Sequence, residues 1–461
     1  MSTLFVDKAL LPDGWARNVR LVMGQNGRIA DVSAGAERQA GDEYQSSRIL
    51  LPAPANLHSH SFQRAMAGMT ENHGPASIAG SDDFWTWRTL MYAFLDHLTP
   101  GDIEAIAALT FMEMLEAGFA TVGEFHYVHH QPGGVAYDNI AETSERIAAA
   151  ASQTGIGLTL LPVLYTYGAV NEQPLKGGQQ RFGCDLERFS KLMDAERRIV
   201  AGLPEDTVLG MAPHSLRAVS PRLMREAAGL WSSGPVHIHA AEQVREVEDV
   251  VEWLGARPVE WLLDNADIDE RWCFIHATHM TPDETRRMAE SGAVAGLCPM
   301  TESNLGDGIF EGERFLAAKG LFGIGSDSNI RISLHEELRT LEYSQRLQDR
   351  RRVVLADSGK SAGRTLYETA LSGGARAMGR DSGALAPGLY ADLVAIDASH
   401  LSLAGLKDDQ VLDGWIFAGD QNIVRDVWSA GRHMVRAGRH IRRDAIEARY
   451  RTVMAGLLQR L

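Results

Sequence analysis

Two histidines one residue apart, in NLHSHSFQRAMAG (residues 56–68), close an apolar run, ILLPAPANL, that reads as a buried strand. On a strand of period two, His58 and His60 project to the same side. Imidazole is the commonest metal-binding side chain, and a catalytic site of this kind takes about three protein ligands while leaving a position for water. An HxH pair alone also describes two hydrogen-bonded core histidines, so the assignment needs further donors. HIHAAEQ (237–243) and GIGSDS (323–328) supply them. His239 ends one apolar run, and Asp327 ends another whose glycines leave room for a neighbouring backbone. His237 shares its side of the strand with His239 and is the rival ligand. It lies deeper in the run and reads as a hydrogen-bonded layer residue beneath the site. Glu242 follows His239 by three residues, which carries it past the strand toward the metal's water rather than the metal.

These residues need a scaffold that brings distant strand ends together. Eight apolar runs, ILLPAPANL, FATVGEFH, IGLTLLPVLY, TVLGMAP, PVHIHA, WCFIHA, AVAGLCP and LFGIGSD, alternate with helical patterns such as DIEAIAALTFMEMLEAG and REVEDVVEWL. That alternation predicts a (β/α)8 barrel of the TIM type, whose chemistry sits at the C-terminal ends of the strands. The runs end at His58/His60, Glu124/His126, His214, His237/His239, His276 and Asp327, as that architecture demands. An open doubly wound sheet is the competitor, but no GxGxxG or P-loop sequence follows any run. Residues 4–50 carry short alternating segments broken by DG and NG, and GALAPGLYADLVAID and VRDVWSAGRHMVRAGRH repeat that texture near the C-terminus. Both termini are therefore expected to build one small β-sandwich domain. The expected boundaries are 1–50 and 381–461 for that domain, the latter with a terminal helix, and 51–380 for the barrel.

A formal charge of -15 works against nucleic acid or anionic membrane as a partner. An anionic ligand would have to be met by local arginines. Three widely spaced cysteines, Cys184, Cys273 and Cys298, indicate neither a disulfide framework nor a CxxC zinc site. With no charged-then-apolar leader and no apolar run approaching ~20 residues, the expectation is a cytoplasmic protein.

HSH after the first run, HIHAAE at the fifth, IHATH at the sixth and GSDS at the eighth together resemble the deaminase branch of the amidohydrolase superfamily. The resemblance implies that His58, His60, His239 and Asp327 bind one divalent metal per subunit, with zinc preferred. It implies that Glu242 shuttles protons and that His276 and Asp327 orient the nucleophile and stabilise charge at the reacting centre. Binuclear relatives carry a lysine on the fourth strand, and TVLGMAPHSLRAV has none. The reaction class so implied is hydrolytic attack on a carbon bonded to nitrogen.

SFQRAMAG, DDFWTWRTLM, GEFHYVHH and APHSLRAVS narrow the likeness to the formimidoylglutamate deiminase family, which releases ammonia from N-formimino-L-glutamate in histidine breakdown. A substrate with two carboxylates suits bidentate arginines. Arg217, three residues after His214, and Arg88, in an aromatic-rich loop that could act as a lid, are the candidates. Gln63 and Tyr127 add neutral hydrogen bonds, and His214 meets the formimino end or a carboxylate. The resemblance also implies a homodimer. The alternatives are an aminohydrolase of a purine, pyrimidine or triazine ring, and a non-catalytic scaffold, which predicts missing ligands. His129 and His130 are read as solvated on an outer loop, His279 as a capping or surface residue, Arg331 equally as a contributor of charge after the eighth strand or as a helix-pairing cation, and Cys298 as a small buried residue.

Overall fold

Pro52 and Pro54 divide the run 49–57 between two sheets, because proline cannot donate to a ladder. Arg48–Pro52 pairs with Ser2–Leu11 and Leu393–Asp397, whereas Ala55–Ser59 begins the barrel. The single strand expected from this run is thus two. The structure is a computed structural model and describes residues 2–71, 84–231 and 233–460.

The barrel strands, in chain order, are Ala55–Ser59, Thr121–His126, Gly157–Leu164, the short pair Val208–Leu209 and Ala212–Pro213, Val236–Ala240, Trp272–His276, Val294–Leu297 and Leu321–Ile324. All neighbours are parallel, in the order fourth, third, second, first, eighth, seventh, sixth, fifth. A bridge between Met211 and Val236 joins the fourth strand to the fifth and closes the ring. The intervening helices follow local rules. Pro100–Ala117 starts at a reciprocal Thr99/Asp102 capping box with Pro100 in its first turn, and stops at Gly118, whose φ is 104°.

Strands from both termini form one continuous nine-stranded sheet, joined where Leu393–Asp397 lies antiparallel to Arg48–Pro52. Period two sorts its residues. Ile49, Leu51, Val394 and Ile396 enter the core shared with the barrel, while Leu50, Leu393 and Ala395 enter a second cluster with Leu4, Val6 and Leu21. Buried Arg380 fastens the two parts by pairing with Asp392 (2.8 Å) and Asp206 (2.9 Å). The terminal helix Arg443–Leu458 packs on Pro100–Ala117. Among the described residues no helix is long and apolar enough to cross a membrane.

DDFWTWRTLM is not a loop where it is described: Phe84–Leu95 is a helix, and Asp82 and Asp83 lie outside the described residues. Phe84, Met91, Phe94 and Leu95 are buried along it, and that packing overrides the modest helix propensity of FWTW. Arg88 therefore stands on a helix beside the barrel mouth.

Candidate metal and substrate site

Backbone pairing of the first and eighth strands brings the outermost donors together. Asp327 N donates to His58 O (3.0 Å) and His60 N donates to Asp327 O (2.9 Å). A methyl at Gly325 would stand 2.7 Å from His58 O, so only glycine permits this approach. Asp327 itself has φ 43°, and His276 has φ 67°, left-handed conformations that cost free energy at the ends of their strands.

Two main-chain carbonyls set the imidazoles. His60 Nδ1 donates to Phe125 O (3.0 Å) and His239 Nδ1 donates to His214 O (3.1 Å). A carbonyl only accepts, so each Nδ1 carries the hydrogen and each Nε2 presents a lone pair inward. His58 Nε2 lies 3.2 Å from His239 Nε2, and His58 Nε2 and His60 Nε2 each lie 3.4 Å from Asp327 Oδ1. A tetrahedral ion with metal–nitrogen bonds of about 2.0–2.1 Å spaces its ligand atoms by about 3.3 Å. The donors already stand at that spacing. Burial lowers His58 to about 3, only partly offset by Asp327, and lowers His60 and His239 as well. Burial opposes ionisation of Asp327, but the hydrogen bond and charge interactions with His58 and the charge interactions with His60 and His276 hold its carboxyl low. Neutral imidazoles and one carboxylate at neutral pH are the chemistry a divalent cation requires.

A second arc continues from Asp327. His276 Nε2 lies 3.9 Å from Asp327 Oδ2 and 3.7 Å from Glu242 Oε1. Behind the ring, Nδ1 donates to Glu302 Oε1 (3.2 Å), which also accepts Cys298 N (2.9 Å). Burial disfavours the charged ring, and Glu242, Glu302 and Asp327 override it, lifting His276 to about 10. Glu242 Oε2 accepts from Arg217 Nη2 (2.8 Å), and its backbone N–H donates to Glu246 Oε2 (3.0 Å).

A narrow cleft lies above these groups. His60, His239, Asp327 and Glu242 line its floor, and Gln63, Arg88, Tyr127, His214 and Arg217 line its walls with Phe84, Trp87 and Phe182. Gln63 Nε2 donates to Tyr127 Oη (2.8 Å). Arg88 Nη2 donates to Tyr165 Oη (2.6 Å), and among the described residues it has no carboxylate partner. His214 meets Tyr165 edge to face, with ring centroids 4.6 Å apart.

The model of the amidohydrolase family matches residues 49–434, and that of the N-terminal domain of formimidoylglutamate deiminase HutF matches residues 1–46. The chain belongs to the amidohydrolase family. This amidohydrolase is 47% identical to a formimidoylglutamate deiminase of Pseudomonas aeruginosa over 99% of its own length and 100% of that protein's. The crystal structure of an amidohydrolase from Brucella melitensis superposes with a TM-score of 0.94 at 49% identity, covering 99% of this chain and 100% of that one. An adenosine deaminase from Xanthomonas campestris, solved with bound zinc, superposes at 0.80 with 22% identity over 99% and 98% of the two chains, a likeness of fold.

All the candidate residues of this amidohydrolase converge on the one cleft or its floor. His237 is the buried layer residue expected, its Nε2 donating to Ala377 O (2.7 Å). His126 turns away from the cleft and hydrogen-bonds Thr143 Oγ1 (3.0 Å). His129 and His130 are buried rather than solvated. Their Nε2 atoms donate to Val163 O (3.0 Å) and Gly183 O (2.8 Å), which places two more imidazoles in the packing behind the cleft. His279 caps no helix, since Thr281 does, and donates to Asp307 O (2.8 Å). Of the two roles open to Arg331 it takes the pairing one, with Glu336 (Nη2–Oε1, 2.7 Å), and Cys298 is fully buried, as expected. Sequence reasoning passed over Glu302, Tyr165 and Glu246. Tyr165 ends the third run and satisfies the strand-end rule that singled out the histidines; Glu302 and Glu246 sit in helices and carry no local signal.

Proposed function

We propose that the protein is a divalent-metal-dependent formimidoylglutamate deiminase, hydrolysing N-formimino-L-glutamate to N-formyl-L-glutamate and ammonia in histidine degradation. The observation that carries this reading is the sharing of one cleft by the His58, His60, His239 and Asp327 cluster and by two arginines, one of which lacks any carboxylate partner among the described residues. A half-buried guanidinium with no carboxylate in hydrogen-bond reach among the described residues can take one from a dicarboxylate ligand. The full-length likeness to the Pseudomonas deiminase supports the same substrate.

An ion held by His58, His60, His239 and Asp327, for which zinc is the proposed identity, would make water a nucleophile at neutral pH. Glu242 accepts the proton of the attacking water and returns it to the departing nitrogen, so one carboxylate serves both halves of the reaction. His276, cationic below about pH 10, donates from Nε2 to charge that develops at the reacting carbon's substituents. The hydrogen bond from Nδ1 to Glu302 sets the ring, and Asp327 and Glu242 flank Nε2 at 3.9 and 3.7 Å. Arg88 and Arg217 hold the two carboxylates, with Tyr127, Gln63 and His214 supplying neutral contacts along the wall. The reading carries with it a cytoplasmic homodimer, which fractionation and size-exclusion chromatography test.

The aromatic wall of Phe84, Trp87 and Phe182 favours a second reading, an aminohydrolase of a heteroaromatic ring. The paired arginines weigh against it. Ammonia release from N-formimino-L-glutamate, measured beside guanine, cytosine and adenosine, separates the two: preference for a ring overturns the deiminase reading. Release of formamide in place of ammonia would mean that the other carbon–nitrogen bond breaks.

A further inference from the structure

Arg217 stands on the cleft wall as a candidate carboxylate reader, yet its only hydrogen bond among the described residues goes to the proposed proton shuttle, through Nη2 to Glu242 Oε2 at 2.8 Å. Nε and Nη1 are buried and have no hydrogen-bond partner among the described residues. Nε lies 3.9 Å from Glu246 Oε2, and the same Glu246 oxygen accepts the backbone N–H of Glu242 at 3.0 Å. Glu242 is thus held at its main chain by Glu246 and at its carboxylate by Arg217, while its other oxygen faces His276 Nε2 at 3.7 Å. Arg88 is built differently: among the described residues it meets Tyr165, Trp85 and Tyr92 and no carboxylate.

We propose that Arg217 is a positioning residue for proton transfer as well as a carboxylate reader: one guanidinium holds Glu242 through Nη2 and receives a substrate carboxylate through its unpartnered nitrogens. The planar fork of arginine can serve two acceptors at once, which a point-charge ammonium does less well. Glu242 is then oriented before substrate arrives. A carboxylate arriving at Arg217 docks beside the group that moves the proton, so recognition and chemistry share one rigid element. Loss of Arg217 leaves Glu242 free to turn, with His276 as its remaining cationic neighbour, which impairs the chemical step whatever the substrate's own charge.

The inference rests on the deiminase reading for the identity of the carboxylate substrate, and its test has one arm that does not. Arg217→Met, Arg217→Lys and Arg88→Met are assayed by ammonia release from N-formimino-L-glutamate and from formamidine, which has no carboxylate to be read. Metal content and Tm accompany each. Misplacement of a catalytic group by ~1 Å costs up to about 10²-fold, so Arg217→Met is expected to lose at least about tenfold more kcat than Arg88→Met on formimino-glutamate. It is also expected to lose about tenfold or more in kcat/KM on formamidine relative to the parent enzyme. Arg217→Lys is expected to recover part of both losses. Should Arg217→Met not fold, the lysine variant carries the test: a drop on formamidine supports the proposal, and parent-level turnover overturns it. Arg217 and Arg88 variants that both only raise KM overturn it as well. A parent enzyme that releases ammonia from formamidine and none from formimino-glutamate refutes the deiminase reading instead, and leaves the formamidine comparison to decide the role of Arg217.

Discussion

Glu302 offers a sharp test of how His276 is tuned. A single oxygen, Oε1, accepts both His276 Nδ1 (3.2 Å) and Cys298 N (2.9 Å). Glu302→Gln can keep an oxygen in that place, preserve both hydrogen bonds and remove only the charge. A hydrogen bond to a charged partner contributes about 1.5–3 kcal/mol against about 0.5–1.5 for a neutral one, a difference of roughly 1.4 kcal/mol or about one pKa unit. Burial opposes the imidazolium, and Glu242, Glu302 and Asp327 together hold it at about 10, so the cation persists below that value and is lost as pH rises through it. If the cationic ring is the working form, activity falls on the alkaline side as His276 loses its proton. In Glu302→Gln that limb moves down by about one pH unit, with the plateau rate falling less than tenfold. Glu302→Ala also frees the ring and is expected to lose roughly 10- to 100-fold on the plateau. The assay is ammonia release from N-formimino-L-glutamate as kcat/KM between pH 6 and 10.5. An unmoved alkaline limb in the glutamine variant, together with a parent-like alanine variant, would refute the reasoning.

Glu242→Gln is expected to retain the metal and lose about 10²- to 10⁴-fold in kcat, since it removes the shuttle and no ligand; metal analysis beside turnover checks both parts. Tyr165→Phe removes the hydroxyl that Arg88 Nη2 meets at 2.6 Å and is expected to raise KM roughly tenfold with a smaller change in kcat, read from steady-state kinetics.

The residues legible in the sequence are those whose signal is local. His58, His60, His239, His276 and Asp327 end apolar runs, and a barrel turns that one-dimensional position into a shared mouth. Glu302 was not legible because an acid in the first turn of the helix Pro299–Leu305 looks like an ordinary dipole-compensating residue; only the return of that helix behind the sixth strand gives it a histidine to hold. His129 and His130 misled for the opposite reason. Two imidazoles beyond a strand end look solvated until the segment 177–182 folds over them and the carbonyls of Val163 and Gly183 accept their N–H groups. The helical state of Phe84–Leu95 is likewise fixed by burial of Phe84, Met91, Phe94 and Leu95, a tertiary effect that local propensity does not carry. The division of residues 49–57 between two sheets was written in Pro52 and Pro54, and was hidden by the apolar residues around them.

The account depends on four side chains from the first, fifth and eighth strands holding one ion. Elemental analysis of the purified enzyme and of His239→Ala, each paired with ammonia release from N-formimino-L-glutamate, tests this most directly. The account predicts about one divalent ion per chain in the parent enzyme and loss of both ion and turnover in the variant. A His239→Ala protein that keeps its ion at the parent level and still releases ammonia would contradict it.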